Sequence, residues 1–113
     1  MILPNVDRTI IDRTKVRHYI LSPDHPIGRF KARFFAQLGF SVDEWDRLER
    51  ALREQHLTKD AESAGMNEFG QTFTIHATLK GPSGASAKVI SVWFIRTGED
   101  HPRFVTAYPG GSK

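Results

Sequence analysis

The spacing of apolar residues changes once along this chain of 113 residues, and that change constrains the fold more than any other feature. In the first half, apolar residues recur every three or four positions, as in helices that bury one side. From Gln71 onward they alternate with polar residues, as in strands that bury one face of a sheet. The order predicts an α+β fold, with N-terminal helices packed on a C-terminal antiparallel β-sheet.

Three helices are predicted in the first half. The first spans Asp12 to Leu21 and ends at Ser22 to Pro26, where two prolines disfavour a helix. The second spans Gly28 to Leu38, and Gly39 is its expected C-terminal cap. The third begins at Ser41 to Glu44, which has the pattern of a capping box. The predicted apolar side chains of the second and third helices are Phe30, Phe34, Leu38, Trp45, Leu48 and Leu52.

Three strands are predicted in the second half, after a loop. Thr58 to Gly70 predicts the loop, because polar residues, alanine and glycine replace the apolar pattern. The strands are Gln71 to Leu79, Ala87 to Arg96 and Arg103 to Tyr108. The second strand is almost continuously apolar, so we expect it to be central and covered on both faces. No repeat or linker indicates a second domain, so residues 1–113 are predicted to form one.

The composition excludes several kinds of site. There is no cysteine, which excludes disulfides, thiolate metal sites and a thiol nucleophile, and which fits a reducing cytoplasm. No stretch is long and apolar enough to span a bilayer, so we expect a cytoplasmic protein without a membrane partner. The histidines are scattered and no metal-binding motif is present, so we predict no metal and no other cofactor. The formal net charge of +3 mildly favours polyanionic partners such as RNA.

The segment that opens the second predicted helix carries an imidazole and several cations. Histidine exchanges protons near neutral pH, so His25 is a candidate acid or base, the alternative being that it only shapes the loop. Lys31 lies in the first turn or so of the helix, where it can join the backbone amides in binding an anion. Arg29 and Arg33 are four residues apart and share a face that can follow a phosphate backbone, or that is simply solvated.

The last predicted strand carries hydroxyl groups on one face. Thr106 and Tyr108 are two residues apart, so they share that face and can bind a phosphate oxygen or orient a base. A tyrosine with a purely structural role is the alternative. Ser91, on the neighbouring strand, is expected to join the same surface. His76, among threonines, and His101, in a loop, are candidates for a second acid or base.

Several segments of this chain carry a resemblance to known families. They are YILSPDHPIGRFKARFF at 19–35, LGF at 38–40, VWFI at 92–95 and FVTAYP at 104–109. Together they resemble an uncharacterised bacterial domain family that is often encoded in toxin-like settings. The order of helices and sheet, and the terminal Thr-Ala-Tyr-Pro, are also similar to the barnase, EndoU, colicin and RelE fold group of metal-independent ribonucleases.

The resemblance implies RNA cleavage by transesterification. His25 would take the proton of a ribose 2′-hydroxyl, Lys31 would stabilise the phosphorane, and Thr106 or Tyr108 would position the phosphate. The donor of a proton to the leaving 5′-oxygen stays open among His76, His101 and Tyr108. The residues expected to bind substrate are Arg29, Arg33, Ser91 and His76. The predicted function is a small endoribonuclease, a toxin-type effector with a cognate antitoxin or immunity protein. The alternative is a noncatalytic RNA-binding or protein-interaction module.

Overall fold

The computed structural model describes residues 1–17, 21 and 29–110, in which the helices precede the strands. The helices are α1 (Arg13–Lys15), α2 (Arg29–Gln37) and α3 (Trp45–Ala51), which continues as a π-helix (Leu52–His56), and 3₁₀ turns lie at Val6–Arg8 and Val42–Glu44. The strands are β1 (Glu62–Asn67), β2 (Gly70–Lys80), β3 (Ser86–Arg96) and β4 (Arg103–Pro109). The predicted α+β arrangement, with N-terminal helices and a C-terminal antiparallel sheet, is confirmed. Residues 18–20 of the first predicted helix, with Gly28 of the second, lie outside the described residues.

Helix α2 ends at the glycine that was predicted to cap it. Gly39 has a φ of 97°, and its N–H donates to the carbonyl of Ala36 at 3.0 Å. The N–H of Phe40 donates to the carbonyl of Phe35 at 3.1 Å, so two carbonyls of the last turn have partners. A Cβ at position 39 would lie 2.6 Å from the backbone nitrogen of Ser83, so the β2–β3 turn packs against this helix end.

The buried side of α2 differs from the predicted one. Ala32, Phe35 and Leu38 are buried, whereas Phe30 is 61% exposed and Phe34 is half-buried. Residues at a spacing of four drift around a helix that has 3.6 residues per turn, so Phe30 and Leu38 point in different directions. The core therefore contacts the side of the helix that is centred on Phe35.

The third helix has the predicted apolar side but lacks the predicted cap. Ser41 precedes the 3₁₀ turn, and its side chain makes no capping hydrogen bond. Trp45 is half-buried, and Leu48 and Leu52 are fully buried, as the spacing predicted. The π-helix that follows brings His56 into the core, where it is 0% exposed.

The segment that was predicted to be a loop contains strand β1. All six residues of β1 are exposed, and they pair antiparallel with β2. A strand that is solvated on both faces has no apolar alternation, which is the signal that sequence prediction uses. The pairing is interrupted by a bulge between Ser63 and Gly65, and Gly65 has a φ of 141°.

The four strands form one antiparallel sheet in the order β1-β2-β3-β4. The N-terminal segment extends it at the β4 edge through a parallel bridge between Ile10 and Arg103. The N–H of Ile10 donates to the carbonyl of Pro102 at 3.0 Å, and the N–H of Phe104 donates to the carbonyl of Ile10 at 2.9 Å. Residues that precede the helices therefore border the last strand.

The hydrophobic core lies between the helices and one face of the sheet, the core face. Its fully buried sheet residues include Ile75, Leu79, Val89, Trp93 and Ala107. The side chains that alternate with them form the outer face. Strand β3 lies between β2 and β4, as predicted, but its outer-face residues Ile90, Val92 and Phe94 are only half-buried, so coverage on this face is less than expected. Of the helices in the described part of the chain, none is long and apolar enough to cross a bilayer.

Candidate functional site

Three rows of side chains cross the outer face. Residues that lie opposite each other in antiparallel strands project from the same face of the sheet. The rows are His76–Ile90–Tyr108, Thr74–Val92–Thr106 and Thr72–Phe94–Arg103. The register thus brings the predicted residues His76, Thr106 and Tyr108 onto one surface.

His76 provides the imidazole of the first row. Its side chain is 55% exposed, and its Nε2 lies 3.9 Å from Oε1 of Glu62. Glu62 reaches this position from β1, where it lies opposite Thr74. The two side chains form an ion pair when the imidazole is protonated. An accessible imidazole with a neighbouring carboxylate therefore lies on the outer face.

Tyr108 stands at the other end of the same row. It is half-buried, and β3 lies between it and His76. Since adjacent strands are about 4.8 Å apart, the Cα atoms of these two residues are separated by roughly 10 Å. Their side chains therefore lie on either side of Ile90 on the outer face.

A β-bulge determines which side chains of β4 face outward. Phe104 pairs with Trp93 and Thr106 pairs with Val92, so Val105 is the extra residue between them. Phe104 is 2% exposed, and Ala107, three residues later, is also fully buried. Strict alternation would place Phe104 and Ala107 on opposite faces. The extra residue of the bulge lets both of them face the core.

Ion pairs surround the turn between β3 and β4. Arg103 donates through Nε and Nη2 to the two carboxylate oxygens of Glu99, each at 3.0 Å. This pairing lowers the pKa of Glu99 and raises that of Arg103. The Arg8 guanidinium, 2.7 Å from Asp100, lowers the pKa of that carboxyl, with His101 as a second hydrogen-bond partner. His101 therefore lies among carboxylates at a turn, away from the row of His76.

Ser91 does not join the hydroxyls of β4. It lies opposite Ala107 in the register, which places it on the core face, and it is 0% exposed. Its Oγ is 2.7 Å from Nδ1 of His56 and accepts a hydrogen bond from Nε1 of Trp93 at 2.8 Å. These three residues form a polar cluster inside the core, the buried trio.

His56 is the buried titratable residue that the sequence analysis did not single out. Burial lowers its pKa to about 4, and the backbone of Ala77 offsets part of that effect. The imidazole is therefore neutral near pH 7, and no described group is in hydrogen-bond geometry with its Nε2. The sequence does contain a signal for its burial, because His56 follows Leu48 and Leu52 at the spacing of the buried helix side.

The predicted basic residues belong to a different layer of the molecule. Lys31, Arg29 and Arg33 all lie in α2. That helix contributes Phe35 to the core cluster, whereas Thr106 and Tyr108 project from the outer face. His25 lies outside the described residues. The structure thus places Lys31 and the strand hydroxyls in separate layers.

The fold and the outer face define a class of protein: a small α+β domain whose antiparallel sheet presents hydroxyls, a phenol and an imidazole beside a carboxylate. In the described part of the chain, no group of three or more His, Asp or Glu residues is arranged to hold a metal ion. A family model matches residues 2–111, and the chain belongs to this family, the Domain of unknown function (DUF6883). No curated protein and no solved structure matches the chain. The resemblance to an uncharacterised family is confirmed, and the toxin and ribonuclease likenesses stay predictions.

Proposed function

We propose that this protein cleaves RNA by 2′-hydroxyl transesterification on the outer face of its sheet. The observation that carries the proposal is the row His76–Ile90–Tyr108, in which an imidazole and a phenol flank a single strand. Glu62 lies beside the imidazole at 3.9 Å and holds the ion pair that forms when His76 takes up a proton. Acid–base catalysis needs two such groups on opposite sides of the reacting phosphate.

Each group has one step in the proposed reaction. His76 takes the proton of the ribose 2′-hydroxyl, and the 2′-oxygen forms a bond to phosphorus. The bond from phosphorus to the 5′-oxygen breaks, and the hydroxyl of Tyr108 gives its proton to the leaving 5′-oxygen. The products are a 2′,3′-cyclic phosphate and a 5′-hydroxyl, and exchange with water restores both side chains.

Neighbouring side chains supply the contacts that bind a phosphate. Thr74 stands in the adjacent row as a hydroxyl donor on the outer face. The Oγ1 of Thr106, in the same row, is buried and has no hydrogen-bond partner among the described residues. Lys88, exposed on β3, lies opposite Thr78 and adds a positive charge beyond the row of His76. Charge that develops on the phosphorane is stabilised by donors that are already in place.

A toxin-type role in the cytoplasm, with a cognate antitoxin or immunity protein, is the biological setting that we propose for this activity. It rests on the sequence resemblance. Its test is expression of the chain in a bacterial host, where the native sequence should arrest growth and His76→Ala should not. Growth arrest by both proteins would contradict this role for the reaction.

Cleavage of single-stranded RNA in the presence of a chelator tests the proposed reaction. His76→Ala should lower the rate by at least about 100-fold, because general acid–base groups contribute that much or more. His101→Gln, at the β3–β4 turn, is the matched control and should cleave at the native rate. The upstream fragment from each cut by the native protein should end in a 2′,3′-cyclic phosphate, and the downstream fragment should begin with a 5′-hydroxyl.

Two results would contradict the reaction. One is native cleavage by folded His76→Ala, with folding checked by thermal unfolding. The other is an upstream cleavage fragment that ends in a 3′-hydroxyl. If the native protein binds RNA and cleaves none, the noncatalytic RNA-binding module is favoured instead.

A further inference from the structure

A groove lies at the end of the outer face that carries the row Thr72–Phe94–Arg103. Its volume is about 420 Å³, within the range of pockets that hold small ligands. Ile10, Val92 and Phe94 give it apolar walls, and Lys15 and Arg96 add positive charge. None of these residues belongs to the catalytic row, so the groove is a second feature of the same face.

Phe94 lies directly against the backbone of Gly70. A Cβ at position 70 would lie 2.7 Å from Cζ of Phe94 and 2.3 Å from the carbonyl oxygen of Ile95. Only glycine leaves space for the ring at this position. The ring is half-buried and contributes to the lining of the groove. An aromatic ring supported by backbone and open on one side is a surface on which a flat base can stack.

The charges at the groove favour an anion beside an apolar group. Lys15 reaches it from α1 and Arg96 from β3, and both are exposed. Arg103 also borders the groove, but it is held in the bidentate pair with Glu99. Asp12, which accepts a hydrogen bond from the backbone N–H of Thr14 at 2.8 Å, supplies an acceptor at the same wall. A nucleotide combines the corresponding features: a flat apolar face, amino groups and a phosphate.

We propose that this groove binds one unpaired base of single-stranded RNA, stacked on Phe94, while Arg96 and Lys15 bind its phosphates. The inference rests on the proposed function and names its substrate class. Phe94 and Ile90 are four residues apart on β3, so the groove lies about 13 Å along the strand from the catalytic row. One strand of RNA can reach both places. Because duplex bases are hidden in their stack, only unpaired RNA fits.

Binding of an uncleavable strand separates this site from the reaction. The probe is a fluorescent single-stranded 2′-O-methyl oligoribonucleotide, which lacks the attacking hydroxyl, and the readout is anisotropy. Phe94→Leu should weaken binding by about 5-fold to 100-fold, the range for loss of one stacked base. Phe94→Trp should retain binding, because its larger ring still stacks. Both variants are checked by thermal unfolding.

A second pair of variants, one in the groove and one control, tests the cationic contacts. Arg96→Ala should weaken binding and reduce its dependence on salt, because one phosphate contact is lost. Arg50→Ala, an exposed arginine on α3 in the helical layer, should bind as the native protein does. An oligonucleotide duplex of the same sequence should compete poorly.

Three results would overturn the groove as a base site. They are native binding by Phe94→Leu, equal affinity for the duplex, and full displacement of the probe by an acidic peptide, which would indicate a protein partner. The proposed reaction fails separately. If Phe94→Leu loses binding while His76→Ala still cleaves, the groove binds RNA and the proposed reaction is wrong. If Phe94→Leu binds as the native protein does while His76→Ala no longer cleaves, the reaction is supported and the groove is not a base site.

Discussion

Two histidines lie on opposite sides of the sheet, and their surroundings give them opposite properties. His56 reaches into the core from the π-helix, is 0% exposed and meets Ser91 at 2.7 Å. His76 projects from the outer face, with 55% of its side chain exposed and Glu62 at 3.9 Å. Burial keeps the first imidazole neutral, whereas water and a carboxylate surround the second. The imidazole of His56 is thus a buried group of the core, and that of His76 is a solvent-exposed group beside a carboxylate.

The hydroxyl groups divide between the faces in the same way. Ser91 is enclosed, and its Oγ has partners in both His56 and Trp93. Thr74 is half-buried on the outer face, and Thr106 beside it is an exception, because its Oγ1 is buried without a hydrogen-bond partner among the described residues. A buried polar group costs stability when it loses its partner, whereas a solvated one finds water. Substitutions on the core face should therefore reduce stability, and substitutions on the outer face should reduce activity.

The largest loss of stability should come from the aromatic member of the buried trio. Trp93→Ala should lower the free energy of unfolding by about 4 kcal/mol, because it creates a cavity and removes the donor to Ser91. Val92→Ala, its neighbour on the outer face, should lower it by about 1 kcal/mol. Urea denaturation measures both values. Equal losses would show that the two faces are equally packed.

The second effect is the pH dependence of stability. Below pH 6.5 the unfolded chain binds a proton at His56, whereas the folded chain binds it only near the lowered pKa of about 4. Stability should therefore fall by about 3 kcal/mol between pH 6.5 and pH 4, at 1.36 kcal/mol per pH unit, and level off below that range. His56→Leu should remove the largest share of this slope in denaturation series at each pH.

The carboxylates at the β3–β4 turn also make stability depend on pH, and their pH range must be compared with that of His56. The pKa values of Glu99 and Asp100 are lowered by their arginine partners. Their stabilisation is present above the ordinary carboxyl pKa values of 4.5 and 3.8 and is lost as pH falls through the lowered ones, so most of this loss lies below the window of His56. A pH slope between 6.5 and 4 that persists in His56→Leu would contradict the assignment to the buried imidazole.

The third effect concerns the hydroxyl of the buried trio. Ser91→Ala should lower the free energy of unfolding by about 2 kcal/mol, since two buried nitrogen groups lose their shared partner. Cleavage measured well below the melting temperature should stay at the native rate, because Ser91 faces away from the outer face. A folded Ser91→Ala protein without activity would place this hydroxyl in the reaction after all.

The smallest change in stability should come from the matching outer-face substitution. Thr74→Val is nearly isosteric on a half-buried surface, so the free energy of unfolding should change by at most about 0.5 kcal/mol. Its cleavage rate should fall, because one hydroxyl donor to the phosphate is removed. Thermal unfolding and a cleavage assay on the same sample give both values. A large loss of stability with unchanged cleavage would contradict the contrast between the two faces, because Thr74 would then support the fold and not the reaction.

The strands that bury one face were predictable, and the exposed strand was not. Observed β2 extends one residue beyond the predicted Gln71 to Leu79 at each end, because its alternation reports burial directly. Strand β1 is held by backbone pairing and by the N-terminal residues, whose Met1 carbonyl accepts from the N–H of Ala61 at 2.7 Å. Such contacts leave no periodic pattern in the sequence.

The outer face was partly predictable, since its side chains follow from alternation within one strand. The shared face of Thr106 and Tyr108 required only their spacing of two. Ser91 was misplaced because its strand is apolar on both sides, so its faces cannot be distinguished from the sequence. The row that joins His76 to Tyr108 depends on strand register, which only the structure gives.

One experiment addresses both histidines directly: NMR of the imidazole groups, titrated with pH and with an uncleavable single-stranded 2′-O-methyl RNA. We expect the His76 signals to shift when RNA is added, while the His56 signals stay unchanged and remain those of a neutral ring down to about pH 4. RNA-dependent shifts at His56 with none at His76 would contradict it, because the ligand would then act on the core side of the sheet.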